Sequence, residues 1–130
     1  MTNYSEAHKI RSSNDELNAL ILDSISDIKG KQIVKLDLTS LDDAPADYFI
    51  ICEGDSNTQI RAIAENIRFR VKTEMGVLPD HSEGVQSARW VCIDYFSTIV
   101  HVFYPDTREF YNLEQLWSDA KLVEYSNLFG

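Results

Sequence analysis

The stretch from Ser56 to Gly76 constrains the fold of this chain more than any other. Ser56 and Gln59 stand at the spacing of a capping box, in which each side chain can satisfy an orphan amide at a helix start. Behind them Ile60, Ile63, Ala64, Ile67, Val71 and Met75 recur at helical intervals, and Gly76 offers a left-handed stop. A helix with one apolar stripe must bury that stripe. The runs around it, rich in β-branched and aromatic residues, are the material to bury it against.

Four runs read as strands: residues 32–38 (QIVKLDL), 47–54 (DYFIICEG), 89–95 (RWVCIDY) and 98–104 (TIVHVFY). A fifth spans 78–83, where Pro79 restricts it to a sheet edge or the start of a strand. A further helix opens at Ser13 with Glu16 at capping-box spacing, places Leu17, Leu20, Ile21, Ile25 and Ile28 on one face, and meets Gly30 as its left-handed stop. Another starts near Asn112 with Leu113, Leu116, Trp117 and Ala120 on one stripe. All three stripes are read as core. The order predicts an α/β fold: a single domain with a mixed, about five-stranded β-sheet flanked by helices. A length of 130 residues suits one domain. Residues 13–125 form it, residues 1–12 are a flexible N-terminal tail, and residues 39–46 are a polar turn.

A formal net charge of −9 argues against a phosphate backbone as partner, because nucleic-acid affinity is built from lysine and arginine, and favours a basic protein. No apolar run approaches the roughly 20 residues of a membrane span. The first residues lack the apolar core of a secretory signal, so a cytoplasmic location is expected. Cys52 and Cys92 lie inside strand-like runs and read as buried free thiols.

A catalytic constellation is not legible. His8, His81 and His101 fall in a tail, a loop and a strand, and no serine sits in a nucleophile-elbow context. Metal-ligand spacings and phosphate-binding glycine fingerprints are absent, so neither metal nor cofactor is expected. Asp42 and Asp43 read as a solvated turn, and Gly54-Asp55-Ser56 as a helix cap, since Glu53 and Asp55 would repel a phosphate there.

Antiparallel pairing of 89–95 with 98–104 sets Trp90 opposite Phe103, Cys92 opposite His101 and Asp94 opposite Ile99. One face then carries Val91, Ile93, Val100 and Val102, suited to pack on the Ser56 helix. The other carries Trp90, Cys92, Asp94, Ile99, His101 and Phe103, a mixed aromatic and polar set of the kind that recognises a partner. Phe96-Ser97 is a poor two-residue turn, because such turns want glycine, asparagine or aspartate at positive φ.

Five strings, ADYFIICEGDSNTQIRAIA (46–64), the segment with Pro79 and Glu83-Gly84, WVCIDY (90–95), IVHVF (99–103) and REFYNLEQLW (108–117), together resemble the ribosomal silencing factor family, also called RsfS or Iojap. The resemblance implies a nucleotidyltransferase-like fold without a working active site. It implies docking on the large ribosomal subunit through its fourteenth ribosomal protein, which blocks joining of the small subunit and damps translation when nutrients are scarce. Carried over by position, the partner-binding residues are Glu83, Gly84, Trp90, Asp94, Tyr95, His101 and Phe103, with Glu83, Trp90, Asp94 and His101 the leading contacts. The family commonly has glycine and then a small polar residue where this chain has Phe96-Ser97. Two other readings stand beside it: a nucleotidyltransferase-like enzyme, which needs paired sheet-end carboxylates and a Gly-Ser phosphate site, and a homo-oligomeric module, such as a homodimer, meeting through the Trp90 face.

Overall fold

Helix α2 (Asn57–Met75) forms where its caps and stripe place it. Ser56 Oγ accepts the Gln59 amide at 3.1 Å, and Gln59 Oε1 accepts the Asp55 amide at 2.6 Å. Gly76 ends the helix at φ 68, its amide donating to the Lys72 carbonyl. In this computed structural model the backbone of residues 4–125 and the side chains of residues 13–125 are described.

Helix α1 (Tyr4–Asp27) precedes strands β1 (Lys31–Asp37) and β2 (Tyr48–Glu53); after α2 come β3 (His81–Glu83), β4 (Trp90–Asp94) and β5 (Thr98–Phe103). Helices α3 (Pro105–Tyr111) and α4 (Leu113–Leu116) and strand β6 (Lys121–Tyr125) complete the chain. The sheet is mixed and six-stranded, in the order β3-β4-β5-β2-β1-β6. β2 and β5 run parallel, and the other neighbours are antiparallel.

One sheet face is covered by α1 and α2. Leu17, Ile21 and Ile25 meet Ile60, Ile63, Ile67 and Val71 over Val91, Ile93, Val100 and Val102. Each fully buried isoleucine or valine here contributes about 1.5–3 kcal/mol relative to exposure. A smaller core lies on the opposite face, where Leu38, Leu41, Leu113 and Trp117 cover Val34, Leu36, Phe49, Ile51 and Phe103.

Four sequence expectations change. α1 runs through Ser13, so residues 4–12, expected as a tail, continue the helix; residues 1–3 lie outside the described residues. The segment has no glycine or proline to stop a helix, and a capping-box spacing can also occur inside one. The left-handed residue after α1 is Lys29 (φ 59), not Gly30. Glycine is needed at 30 for space, since a Cβ there would lie 2.3 Å from Ile25 Cγ2. Near the C-terminus, Asn112 at φ 46 separates two short helices instead of opening a long one. Pro105, placed in the first turn of α3, was the unread start signal. Finally, the expected five strands become six through β6, which is exposed along most of its length and pairs only with β1.

Candidate protein-docking site

Strand register aligns side chains in rows on the face away from α1 and α2. Glu83, Cys92, His101 and Ile51 form one row; His81, Asp94, Ile99 and Phe49 form the next; Trp90 and Phe103 pair beyond them. The β1, β2 and β5 ends of these rows are covered by Leu38, Leu41, Leu113 and Trp117. The β3 and β4 ends are open: Glu83 has a side chain 75% exposed, and Cys92 and Asp94 are half-buried. The result is a strip of acidic and aromatic groups along one sheet edge.

Trp90 anchors one end of the strip. Its indole stacks on Phe103 (centroids 4.9 Å, planes 27° apart) and tilts against Tyr111 at 4.7 Å. Its Nε1–H donates to His101 Nδ1 at 3.0 Å. That bond leaves Nδ1 as an acceptor, so the neutral imidazole carries its proton on Nε2, a buried atom without a partner among the described residues. Burial lowers the His101 pKa to about 4, which keeps the ring neutral and the bond intact at physiological pH.

The other end is acidic. His81 Nδ1 lies 3.1 Å from Asp80 and 3.8 Å from Asp94, and Nε2 lies 3.7 Å from Glu83. The hydrogen bond to Asp80, with Asp94 and Glu83 nearby, raises the His81 pKa against opposing desolvation. Asp80, His81 and Asp94 offer ligand atoms within 4.8 Å of one another and can accept a divalent ion. Exposed acidic groups of this kind are common on proteins without metal, and the geometry assigns none here. Burial pushes the half-buried Cys92 thiol up to about 11, with Glu83 and Asp94 adding to it, so it is a poor nucleophile.

Two backbone devices hold the strip. Gly84 adopts φ +84, and a Cβ there would lie 2.0 Å from the Trp90 carbonyl oxygen. At the hairpin tip Phe96 takes φ 68, and Ser97 N–H closes the turn on the Tyr95 carbonyl at 2.9 Å. Asp94 Oδ1 accepts the Phe96 amide at 2.7 Å, which compensates for the unfavourable residue. The turn keeps the facing derived from alternation.

The seven residues singled out by sequence therefore separate. Glu83, Trp90 and Asp94 share the open strip. Gly84 permits the close approach of β3 to β4. His101 (5% exposed) and Phe103 (0%) lie beneath, supporting Trp90. Tyr95 belongs to the core on the α1/α2 side, and burial raises its hydroxyl pKa to about 12 despite Arg68 nearby. Sequence reading missed Asp80, His81, Tyr111 and Phe110. Alternation across β3 could have placed His81; nothing local signalled the contact of Tyr111 with Trp90.

Arg108 is another buried group that sequence did not reveal. Nη1 donates to the Gln32 carbonyl (2.7 Å) and Glu53 (3.2 Å), and Nε to Glu114 (3.3 Å), tying α3 to the irregularity in β1 where Gln32 stands at φ 51. Its hydrogen bonds are internal.

Asp94 and the Gly54–Ser56 turn do not come together in one nucleotidyltransferase-like site. Gly54 and Ser56 follow the end of β2, whereas Asp94 pairs with Ile99 at the beginning of β5, which runs parallel to β2. The two features lie at opposite ends of the sheet. The loop amides are also engaged, Gly54 N–H on the Phe103 carbonyl and Asp55 N–H on Gln59. Among the described residues no helix is long and apolar enough to cross a membrane.

An α/β domain with helices on one sheet face and a half-open, acidic and aromatic other face is suited to docking on a macromolecule. The family described as "Ribosomal silencing factor during starvation" matches residues 11–129. The Ribosomal silencing factor RsfS of Halalkalibacterium halodurans is 43% identical over 118 residues, covering 91% of this chain and 99% of that one. A crystal structure of a Chromobacterium violaceum protein superposes with TM-score 0.76 at 36% identity, covering 89% of this chain and 92% of that chain. Mouse "Mitochondrial assembly of ribosomal large subunit protein 1" is 31% identical over 77 residues, 55% of this chain and 32% of its own length. The chain belongs to the ribosomal silencing factor family.

Proposed function

We propose that this chain silences ribosomes by docking its β3–β4 strip on a basic protein of the large subunit, the fourteenth of that subunit, and so blocks joining of the small subunit under nutrient limitation. Membership of the family supports the silencing role, and the large subunit as target agrees with the name of the mouse relative. The observation that carries the docking face is the open strip itself, which has Glu83, Asp94 and Asp80 at one end and the half-buried Trp90 at the other. Trp90 supplies apolar contact area, and the acids pair with lysine or arginine on the partner. Self-association through the same strip would bring these acids against their own copies, which disfavours a homodimer there.

The test is co-sedimentation with separated subunits, together with light scattering of subunit joining. Wild-type protein binds large subunits alone and slows joining. Glu83→Lys and Trp90→Ala, folded by circular dichroism, lose both effects, and raising salt weakens the wild-type complex. Wild-type binding to neither subunit would remove the proposal, and unchanged binding by both variants would move the interface elsewhere.

A further inference from the structure

Beside Trp90 the surface opens into a shallow cleft of about 370 Å³ walled by Arg89, Trp90, Phe110 and Tyr111, with Asp106 at its side. Phe110 is 80% exposed and Tyr111 50%, high values for aromatic residues that touch each other edge to face at 5.1 Å. Neither ring is needed to close a core. Arg89 holds its guanidinium over the Tyr104 ring at 5.3 Å, so its charge already has a partner. The solvent-exposed Asp106 carboxylate makes no hydrogen bond or ion pair among the described residues. The cleft thus presents exposed aromatic faces and one carboxylate with nothing to pair it.

We infer that this cleft receives an arginine side chain from the basic partner, its stem against Phe110 and Tyr111 and its guanidinium on the Asp106 carboxylate. The inference rests on the docking reading above and extends it to residues beyond the β3–β4 strip. A planar guanidinium stacks on aromatic rings while its fork meets a carboxylate with two bonds. A purely apolar occupant would bury Asp106 unpaired, which is costly. An acidic occupant would have to draw Arg89 from its ring and tolerate Asp106 and the chain's net charge of −9. The cleft volume lies at the lower end for ligand sites and suits one long side chain.

Two measurements test this. In co-sedimentation with large subunits, Asp106→Asn and Tyr111→Ala each weaken binding about tenfold, the scale of one charge-assisted pair or aromatic contact, while Arg89→Ala, which removes a like charge from the cleft wall, tightens it. In a nuclear magnetic resonance titration, N-acetyl-arginine amide shifts the Trp90 indole and Tyr111 signals, and the uncharged citrulline analogue at equal concentration does not. Wild-type affinity in Asp106→Asn together with a loss in Arg89→Ala would overturn the inference in favour of an acidic occupant. Equal shifts from arginine and citrulline would overturn it as well. Should the wild-type protein fail to sediment with ribosomes, the ribosomal reading falls, and the arginine titration still decides the cleft.

Discussion

Alanine at Gly84 and at Gly76 separates two costs that glycine usually hides together. Both residues adopt left-handed backbone, φ +84 and +68. An alanine forced into that region costs about 1–2 kcal/mol. Around Gly76 a new Cβ meets nothing within 4 Å, so Gly76→Ala should lose only this backbone cost. Around Gly84 the same atom would lie 2.0 Å from the Trp90 carbonyl oxygen and 3.5 Å from Val91 Cα, both backbone. No side-chain rotation relieves that contact. Forcing atoms into occupied space costs about 1–3 kcal/mol more, for a total of about 2–5 kcal/mol at Gly84.

Against a stability of about 5–15 kcal/mol that loss is large. With each kcal/mol worth about 3–5 °C for a domain of this size, Gly84→Ala should lower Tm by about 6–25 °C and Gly76→Ala by about 3–10 °C. Urea and thermal unfolding, followed by circular dichroism, read both variants. The strain has one escape, because β3 is an edge strand that pairs only with β4. If β3 peels away, the Asp80 amide, which bonds the Asp94 carbonyl at 2.7 Å, exchanges rapidly while the core amides of β5 stay protected. Equal losses in the two variants, with Asp80 still protected, would refute the close approach of β3 to β4.

Two further outcomes follow from the site. His101 has a folded pKa of about 4 against an ordinary 6.5, so the unfolded chain takes up a proton first as pH falls; stability drops by about 3 kcal/mol between those values and is unaffected above them. His101→Phe should flatten that acid limb in urea titrations from pH 7 to pH 4, although His81, whose pKa is raised, contributes the opposite slope in both proteins; an unchanged limb would contradict the neutral buried ring. Phe96 is 70% exposed at φ 68, so Phe96→Gly should gain about 1 kcal/mol by removing left-handed strain, measured by urea unfolding, and a loss would show that the ring is anchored.

What sequence disclosed was what depends on neighbours along the chain. The caps and stripe of α2 are local, and the alternation of Val91 and Ile93 against Val100 and Val102 sets the hairpin's facing even through an unfavourable turn. The same alternation put Trp90 and Asp94 on one face. Lost were features made by distant segments. β6 is a strand because β1 lies beside it, and Arg108 is buried because Gln32 and Glu53 meet it from other elements. Phe103 looks available in the sequence because Leu113 and Trp117, which pack in its cluster, come after it and read as one helical stripe, and His101 because its cover comes from Phe49 and Trp90 on neighbouring strands. Tyr95 follows the alternation to the helix side; family resemblance grouped it with the strip, whereas its facing did not.

The charges on the strip have a second consequence that bears on how it is probed. β3 is short and sits at the sheet edge, where unpaired backbone groups invite another strand, and His81 and Glu83 occupy that edge with charge. The groups that attract a basic partner therefore also keep a second copy of the sheet from pairing here. Replacing them by alanine would mix lost docking with new self-association, and both remove protein from the free pool in a sedimentation assay. Glu83→Lys reverses the attraction while keeping the edge charged, so a loss of ribosome binding in that variant reports on docking alone.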